Sequence, residues 1–167
     1  MTLDDFNALP VEAAQRELER CCGSRRWATT MAARRPFADE AALHRAADEL
    51  WWSLEGADWL EAFSHHPRIG ERADGWAKAE QAGAQGASEA TLRELAALNR
   101  EYERKFDHVF LIFASGRSAE EMLEQLRCRL GNQPAPELRV AAKEQAKITR
   151  LRLEKLITSP TGASNIP

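Results

Sequence analysis

The amino-acid sequence predicts an all-α protein, a single compact bundle of about seven to nine helices. Strong helix formers fill the chain between short breaks that are rich in Gly, Pro and Ser. Apolar residues recur at helical spacing, and between Asp39 and Trp52 one face carries Leu43 and Leu50. Only residues 109–113 resemble a strand. Without a partner strand they predict no sheet.

The first part of the chain predicts helices over about 11–20, 24–34, 39–52 and 58–63. Pro10 is favoured in a first helical turn and precedes the earliest of them. Ser24 can cap the second helix and Asp58 can cap the fourth. The helical pattern then ends before Pro67, because a residue that precedes proline is disfavoured in the helical conformation.

The second part predicts long helices over about 88–106, 118–131 and 137–157. Ser88 has the position of an N-cap, and Ser118 with Glu121 forms the sequence pattern of a capping box. Pro134 and Pro136 predict a short linker before the last helix. Each helix thus has a recognisable start.

Composition limits the class of protein. An apolar content of 44% in 167 residues suffices for one hydrophobic core, so we expect a single helical domain over residues 1–158 and a flexible tail over 159–167. The 23 basic and 26 acidic residues give a net charge of −3, which does not attract nucleic acid or an anionic membrane. The cysteines form no Cys-x-x-Cys pair, and the start of the chain lacks a basic, then apolar, leader. We expect a cytoplasmic protein.

One loop concentrates groups that can carry chemistry. Residues 64–71 contain two imidazoles, a guanidinium and a carboxylate beside the rigid Pro67. Histidine exchanges protons near neutral pH, so His66, fixed by the following proline, is a candidate general acid or base. The alternative is that His65 and His66 only end a helix, where the helix dipole favours their positive charge. Spacing alone leaves both interpretations open.

Metal and covalent sites have less support. Neighbouring histidines seldom bind one ion, and no His-Glu-x-x-His pattern completes a site. Ser64 and Ser115 stand in no Gly-x-Ser-x-Gly turn, and Cys128 falls within a predicted helix as an apolar residue. The sequence favours acid-base chemistry without a metal.

Glu80 is a second candidate. It lies one helical turn beyond Trp76, whose ring could desolvate the carboxylate. The alternative is an ordinary surface glutamate, and spacing alone favours that alternative.

Arg152 is a third candidate. It shares a row with Ile148 and Leu156, which places a permanent charge on an apolar helix face. Its partner would be either a bound ligand or a structural carboxylate such as Glu124 or Glu144.

Five segments in a fixed order make the sequence recognisable. They are Phe6-Asn-Ala-Leu-Pro10, His66-Pro-Arg-Ile-Gly-Glu71, Glu80-Gln-Ala-Gly83, Phe106-Asp-His-Val-Phe-Leu-Ile-Phe-Ala-Ser-Gly-Arg117 and Lys147-Ile-Thr-Arg-Leu-Arg-Leu153. Together they resemble the 2-oxo-4-hydroxy-4-carboxy-5-ureidoimidazoline (OHCU) decarboxylases, which complete the conversion of urate to S-allantoin. The resemblance covers nearly the whole chain. It implies an all-helical homodimer that acts on a small-molecule substrate without metal or organic cofactor.

The resemblance also implies roles by position. His66 matches the catalytic histidine of the family, with Pro67 beside it, and Glu80 matches the active-site glutamate. Arg152 matches the arginine that holds the substrate. The backbone around Ile112 matches the stretch that contacts the substrate ring.

One position departs from the family pattern. Ala77 stands where the family often has a serine, three residues before the glutamate. A hydrogen bond to the substrate would be missing there or replaced by water. The loss of one neutral hydrogen bond costs about 1 kcal/mol, which is too little to abolish activity.

Two functions of other classes remain as alternatives. A non-catalytic helical interaction module would use the same amphipathic helices to present a partner surface, and it predicts no rate enhancement. An Arg-rich nucleic-acid binder would use the last helix and predicts strongly salt-dependent affinity. The negative net charge argues against the second.

Overall fold

The computed structural model describes residues 1–158, and within them it contains nine α-helices, one 3-10 helix and no strand. The helices are α1 (Leu3–Ala8), α2 (Val11–Cys21), α3 (Arg25–Ala33), α4 (Glu40–Ser53), α5 (Gly56–Ser64), α6 (Gly75–Glu80), α7 (Glu89–Phe106), α8 (Ala119–Leu130) and α9 (Pro134–Leu156), with the 3-10 helix at Ala82–Ala84. The predicted all-α class is therefore confirmed. The tail predicted over 159–167 lies outside the described residues. No described helix combines the length and the apolar character that crossing a membrane requires.

The predicted helix starts at serine residues are confirmed. The Ser24 hydroxyl accepts a hydrogen bond from the Trp27 amide at 3.3 Å, and Ser88 caps α7 in the same way. At the start of α8 the capping box is complete: Ser118 Oγ accepts from the Glu121 amide at 3.1 Å, and the Glu121 carboxylate accepts from the Ser118 amide at 2.8 Å. These caps satisfy amides that have no acceptor inside the helix.

Two predicted boundaries are wrong. Asp58 does not begin α5 but lies in its first turn, where its carboxylate accepts a hydrogen bond from the Glu55 amide at 3.4 Å. Pro134 and Pro136 form no linker and lie in the first turn of α9. First-turn amides have no acceptor within the helix, so a proline there sacrifices no hydrogen bond.

The chain divides into two compact units. Of the residues that the structure describes, the first contains Met1–Asp58 and 148–158. Within it α3 packs against both α2 and α4, and the fully buried Trp27 donates a hydrogen bond from its ring nitrogen to the Ala47 carbonyl at 3.1 Å. The amino terminus donates to the carbonyl of Leu156 at 3.1 Å, which places its positive charge at the end of α9 where the helix dipole is negative.

The second unit contains Trp59–Lys147, and in it α7 packs against α8. Its core is a cluster of buried side chains from the 65–71 loop, the 3-10 helix, α7, the segment after α7, and α8. The cluster comprises Ile69, Ala84, Leu95, Tyr102, Phe106, Phe110, Ile112, Ala114, Ala119, Met122, Leu123 and Leu126. The apolar run at 109–113 belongs to neither a helix nor a strand. Phe110 and Ile112 belong to this core, whereas Val109 and Phe113 are half-buried.

Candidate active site

The loop between α5 and α6 is held firmly against α7. The Asn99 side chain donates a hydrogen bond to the Ile69 carbonyl at 3.2 Å, and both groups are buried. Arg68 makes two parallel hydrogen bonds to the Glu103 carboxylate, at 2.6 and 3.0 Å. The Ile69 side chain is itself part of the core. A loop anchored at consecutive residues can hold a side chain in one orientation.

His66 follows the last turn of α5, and its amide donates to the Phe63 carbonyl at 3.1 Å. Its half-buried ring meets the side chain of Gln145, with 2.7 Å between His66 Nε2 and Gln145 Oε1. Gln145 lies on α9 and is fully buried. The imidazole is therefore more than a helix terminus, because its orientation is set by a partner on another helix.

Glu80 is the last residue of α6, and only 7% of it is exposed. It is not the ordinary surface glutamate that spacing alone would favour. The next residue, Gln81, is also buried, and its side-chain oxygen accepts a hydrogen bond from the Gly70 amide at 3.3 Å. This contact ties the end of α6 to the loop that carries His66.

The stretch around Ile112 is fixed through its main chain. Arg129 donates from Nη1 to the Leu111 carbonyl at 2.7 Å, and the Phe113 amide donates to Glu144 Oε2 at 2.8 Å. The side chain of Ile112 is buried in the core. Its main chain is therefore the part that could meet a ligand.

Arg129 is held by a buried polar cluster that sequence reasoning missed. Its guanidinium donates to Glu137 Oε1 at 2.7 Å, and Tyr102 donates to the same oxygen at 2.5 Å. Burial raises the pKa of Tyr102 well above its ordinary value, so the phenol stays a donor. A signal existed, because Arg129 continues the apolar row of Met122 and Leu126 on α8.

The remaining predicted residues lie in different parts of the chain. Pro67 is half-buried in the same loop, and Ala77 is half-buried on α6. Arg152 belongs to the first unit, where it is half-buried and donates from Nη1 to the Arg20 carbonyl at 3.3 Å. That carbonyl lies in the last turn of α2, the negative end of the helix. Of the carboxylates considered for Arg152, Glu144 forms a salt bridge with Lys147 at 2.8 Å.

Hydrogen bonds within the second unit thus connect the segments that carry His66, Glu80 and the main chain near Ile112. The loop that carries His66 contacts the end of α6 through the Gly70 amide. Helix α9 supplies both the hydrogen-bond partner of His66 and the carboxylate that accepts from the Phe113 amide. Chemically this is an imidazole and a carboxylate, two groups that can transfer protons. Among residues 1–158, no three His, Cys, Asp or Glu side chains lie in a group that could hold a metal ion.

The family model for OHCU decarboxylase matches residues 7–154 of the chain. The chain is 34% identical to the 2-oxo-4-hydroxy-4-carboxy-5-ureidoimidazoline decarboxylase of Amia calva over 134 aligned positions, which cover 75% of this chain and 77% of that protein. It is 38% identical to the uric acid degradation bifunctional protein TTL of Arabidopsis thaliana, with 95% of this chain covered. It spans only 54% of that bifunctional protein.

Two crystal structures also match this chain. A crystal structure of OHCU decarboxylase in the presence of (S)-allantoin matches with a TM-score of 0.78 and 41% identity, covering 86% of this chain and 98% of that one. A crystal structure of (S)-allantoin synthase matches with a TM-score of 0.72 at 20% identity, covering 94% of this chain and 54% of that one. The second likeness concerns the fold alone. The family match over nearly the whole chain, with the identities above, shows that this chain belongs to the OHCU decarboxylase family.

Proposed function

We propose that this chain decarboxylates 2-oxo-4-hydroxy-4-carboxy-5-ureidoimidazoline to S-allantoin, a step of urate degradation. Membership of the family supports the reaction. The observation that carries the proposal is that His66 and Glu80 lie on two segments joined by the bond between the Gly70 amide and Gln81. A fixed imidazole and a buried carboxylate are the groups that such a reaction needs.

The substrate can act as its own electron sink. Its carboxylate stands on a carbon next to a carbon-nitrogen double bond, so the electrons released with carbon dioxide delocalise into the ring and give an enol-like intermediate. The reaction then needs no metal and no organic cofactor. The enzyme has to hold the carboxylate out of the ring plane, handle the hydroxyl proton and deliver a proton to one face.

His66 and Glu80 are the proposed proton-handling pair. The imidazole, a group that can both accept and donate a proton, is held on an anchored loop, while the carboxylate is screened from solvent by burial. Delivery of the proton from one side fixes the S configuration of the product. Both side chains are catalytic residues in this proposal, because both would touch the reacting atoms.

The binding roles are assigned to four other residues. Arg152 would grip the ring or ureido oxygens with its permanent charge, and Pro67 would line the site beside the imidazole. The main chain near Ile112 would contact the ring, which agrees with the burial of its side chain. At Ala77 the serine contact that the family resemblance implies would be absent.

The extent of the domain, its oligomeric state and its localisation are part of the same proposal. We propose that residues 1–158 form one catalytic domain in a cytoplasmic homodimer. The bifunctional relative from Arabidopsis is about twice as long as the part that this chain matches. A second activity is therefore not assigned to this chain.

The proposal is tested by generating the labile substrate in place from urate, with urate oxidase and hydroxyisourate hydrolase, and following its disappearance by ultraviolet absorbance. The chain should accelerate the decay in proportion to its concentration. A chelator should leave the rate unchanged. A decay that does not depend on the chain would refute the function, whereas loss of activity with a chelator would refute only the metal-free mechanism.

A further inference from the structure

We infer that Gln145 is a positioning residue that fixes the tautomer of His66. Its side-chain oxygen lies 2.7 Å from His66 Nε2, which makes Nε2 the nitrogen that carries the proton and Nδ1 the atom that exchanges protons. The inference deepens the proposed function and rests on it only where it concerns reaction rates. The tautomer itself is a property of the protein without substrate.

The roles in this hydrogen bond follow from the orientation of the Gln145 amide, whose oxygen faces the ring. An amide oxygen can only accept, so the ring nitrogen that meets it must donate. A neutral imidazole carries one proton, and a bond that occupies one nitrogen as a donor determines the role of the other. Gln145 is fully buried, and no buried side-chain nitrogen or oxygen of residues 1–158 lacks a hydrogen-bond partner. Both the oxygen and the nitrogen of the Gln145 side-chain amide therefore have hydrogen-bond partners, which fix its orientation.

The partner of His66 is neutral, and this matters for proton transfer. The neighbouring carboxylate, Glu144, is directed to the Phe113 amide and to Lys147. The charge of Arg68, in the same loop as His66, is directed to Glu103. A carboxylate at position 145 would stabilise the imidazolium and raise the pKa of His66. A glutamine selects the tautomer without holding the ring in its charged form.

Nitrogen-15 NMR of the wild-type protein, labelled at histidine, measures the tautomer directly. The His66 signals are assigned by their loss in His66→Asn. Above its titration range, His66 should show a protonated Nε2 and an unprotonated Nδ1. A protonated Nδ1 as the major form would overturn the inference. The measurement needs no substrate, so its outcome is independent of whether the chain is a decarboxylase.

Two substitutions test the role of Gln145 in the same spectra. Gln145→Glu keeps an acceptor, so the tautomer should persist while the pKa of His66 rises. Gln145→Leu removes the acceptor, so both tautomers should appear. Gln125→Glu adds the same charge at an exposed position on α8 and is the matched control. It should leave the tautomer and the pKa of His66 unchanged.

Substitution of Gln145 should also change the kinetics of the reaction. In Gln145→Leu, kcat should fall by about 10- to 100-fold, the loss that follows when a partner that orients a metal-bound histidine is removed, while KM changes much less. In Gln145→Glu, the limb of the pH-rate profile that belongs to His66 should move to higher pH, in step with its NMR pKa. A folded Gln145→Leu variant with wild-type tautomer and kcat would overturn the inference. If neither variant folds, the wild-type spectrum decides.

Discussion

Gly83 lies so close to Arg117 that a Cβ atom at position 83 would stand 1.8 Å from the Arg117 carbonyl oxygen. The obstacle is main chain, which cannot rotate away as the tip of a side chain could. The contact joins the segment after Glu80 to the segment before α8. It explains in physical terms why the sequence Glu80-Gln-Ala-Gly83 ends in glycine.

Replacement of Gly83 by alanine should therefore destabilise the protein. Since the backbone at one or both positions must shift, we expect the free energy of unfolding to fall by about 1–3 kcal/mol, the usual cost of overpacking. Chemical denaturation measures it. The control is Gly131→Ala, where the nearest atom to the added Cβ lies at 3.3 Å. Equal stability of the two variants would contradict the close approach.

Glu144 should matter through Phe113. Glu144→Ala removes the acceptor of the Phe113 amide, a hydrogen bond to a charged group that is worth about 1.5–3 kcal/mol. The main chain near Ile112 then loses an anchor, so KM should rise more than kcat falls. Steady-state kinetics and denaturation measure the two effects.

Lys147→Met is the matched control for Glu144. It breaks only the salt bridge between Lys147 and Glu144, in which the lysine side chain is 44% exposed. A salt bridge of this kind contributes about 0–1 kcal/mol. If Lys147→Met weakened substrate binding as strongly as Glu144→Ala, the hydrogen bond to Phe113 would not be the cause.

Two histidines should give the stability a pH dependence. Burial lowers the pKa of His108 below its ordinary value of 6.5, and burial, with a smaller contribution from Arg150, lowers that of His44. The folded state then binds fewer protons than the unfolded state. The contribution of the two histidines to the free energy of unfolding is complete above about pH 6.5. It decreases as the pH falls through 6.5 toward their folded pKa values.

Unfolding measured at about pH 7.5 and about pH 5.5 tests this coupling. The decrease in the free energy of unfolding should be smaller in the double variant His44→Gln, His108→Gln than in the wild type. The control is His65→Gln at an exposed position, which should keep the wild-type decrease. An unchanged decrease in the double variant would refute the assignment.

The sequence predicted what depends on neighbours in the chain. The caps at Ser88 and Ser118 can be predicted because a cap and its amide lie three residues apart. The linker predicted at Pro134 is wrong because proline is common both in linkers and in first helical turns, and the local sequence does not distinguish them. The short helix α1 was missed although Thr2 and Asp5 form its capping box.

The support of the candidate site could not be predicted in the same way. The partner of His66 is 79 residues away in the chain and the partner of Arg68 is 35 residues away. No local pattern marks such pairs, since they form only when helices pack. The resemblance to the family singled out His66, Glu80 and Arg152, but it did not indicate Gln145 or Glu144.

His66 and Glu80 should each be needed for the reaction. His66→Asn and Glu80→Gln preserve size and remove proton transfer, so each should lower kcat by about 10²- to 10⁴-fold while the protein stays folded by circular dichroism. His65→Asn, at the exposed neighbouring position, should retain wild-type kcat. Wild-type activity of either of the first two variants would exclude that residue from the mechanism.

The chirality of the product tests the central claim most directly. With the substrate generated in place from urate, allantoin formation is followed by circular dichroism with and without this chain. We predict a signal of S-allantoin whose initial rate increases with the concentration of the chain and is lost in His66→Asn. Formation of racemic allantoin at the same rate with and without the chain would contradict the account.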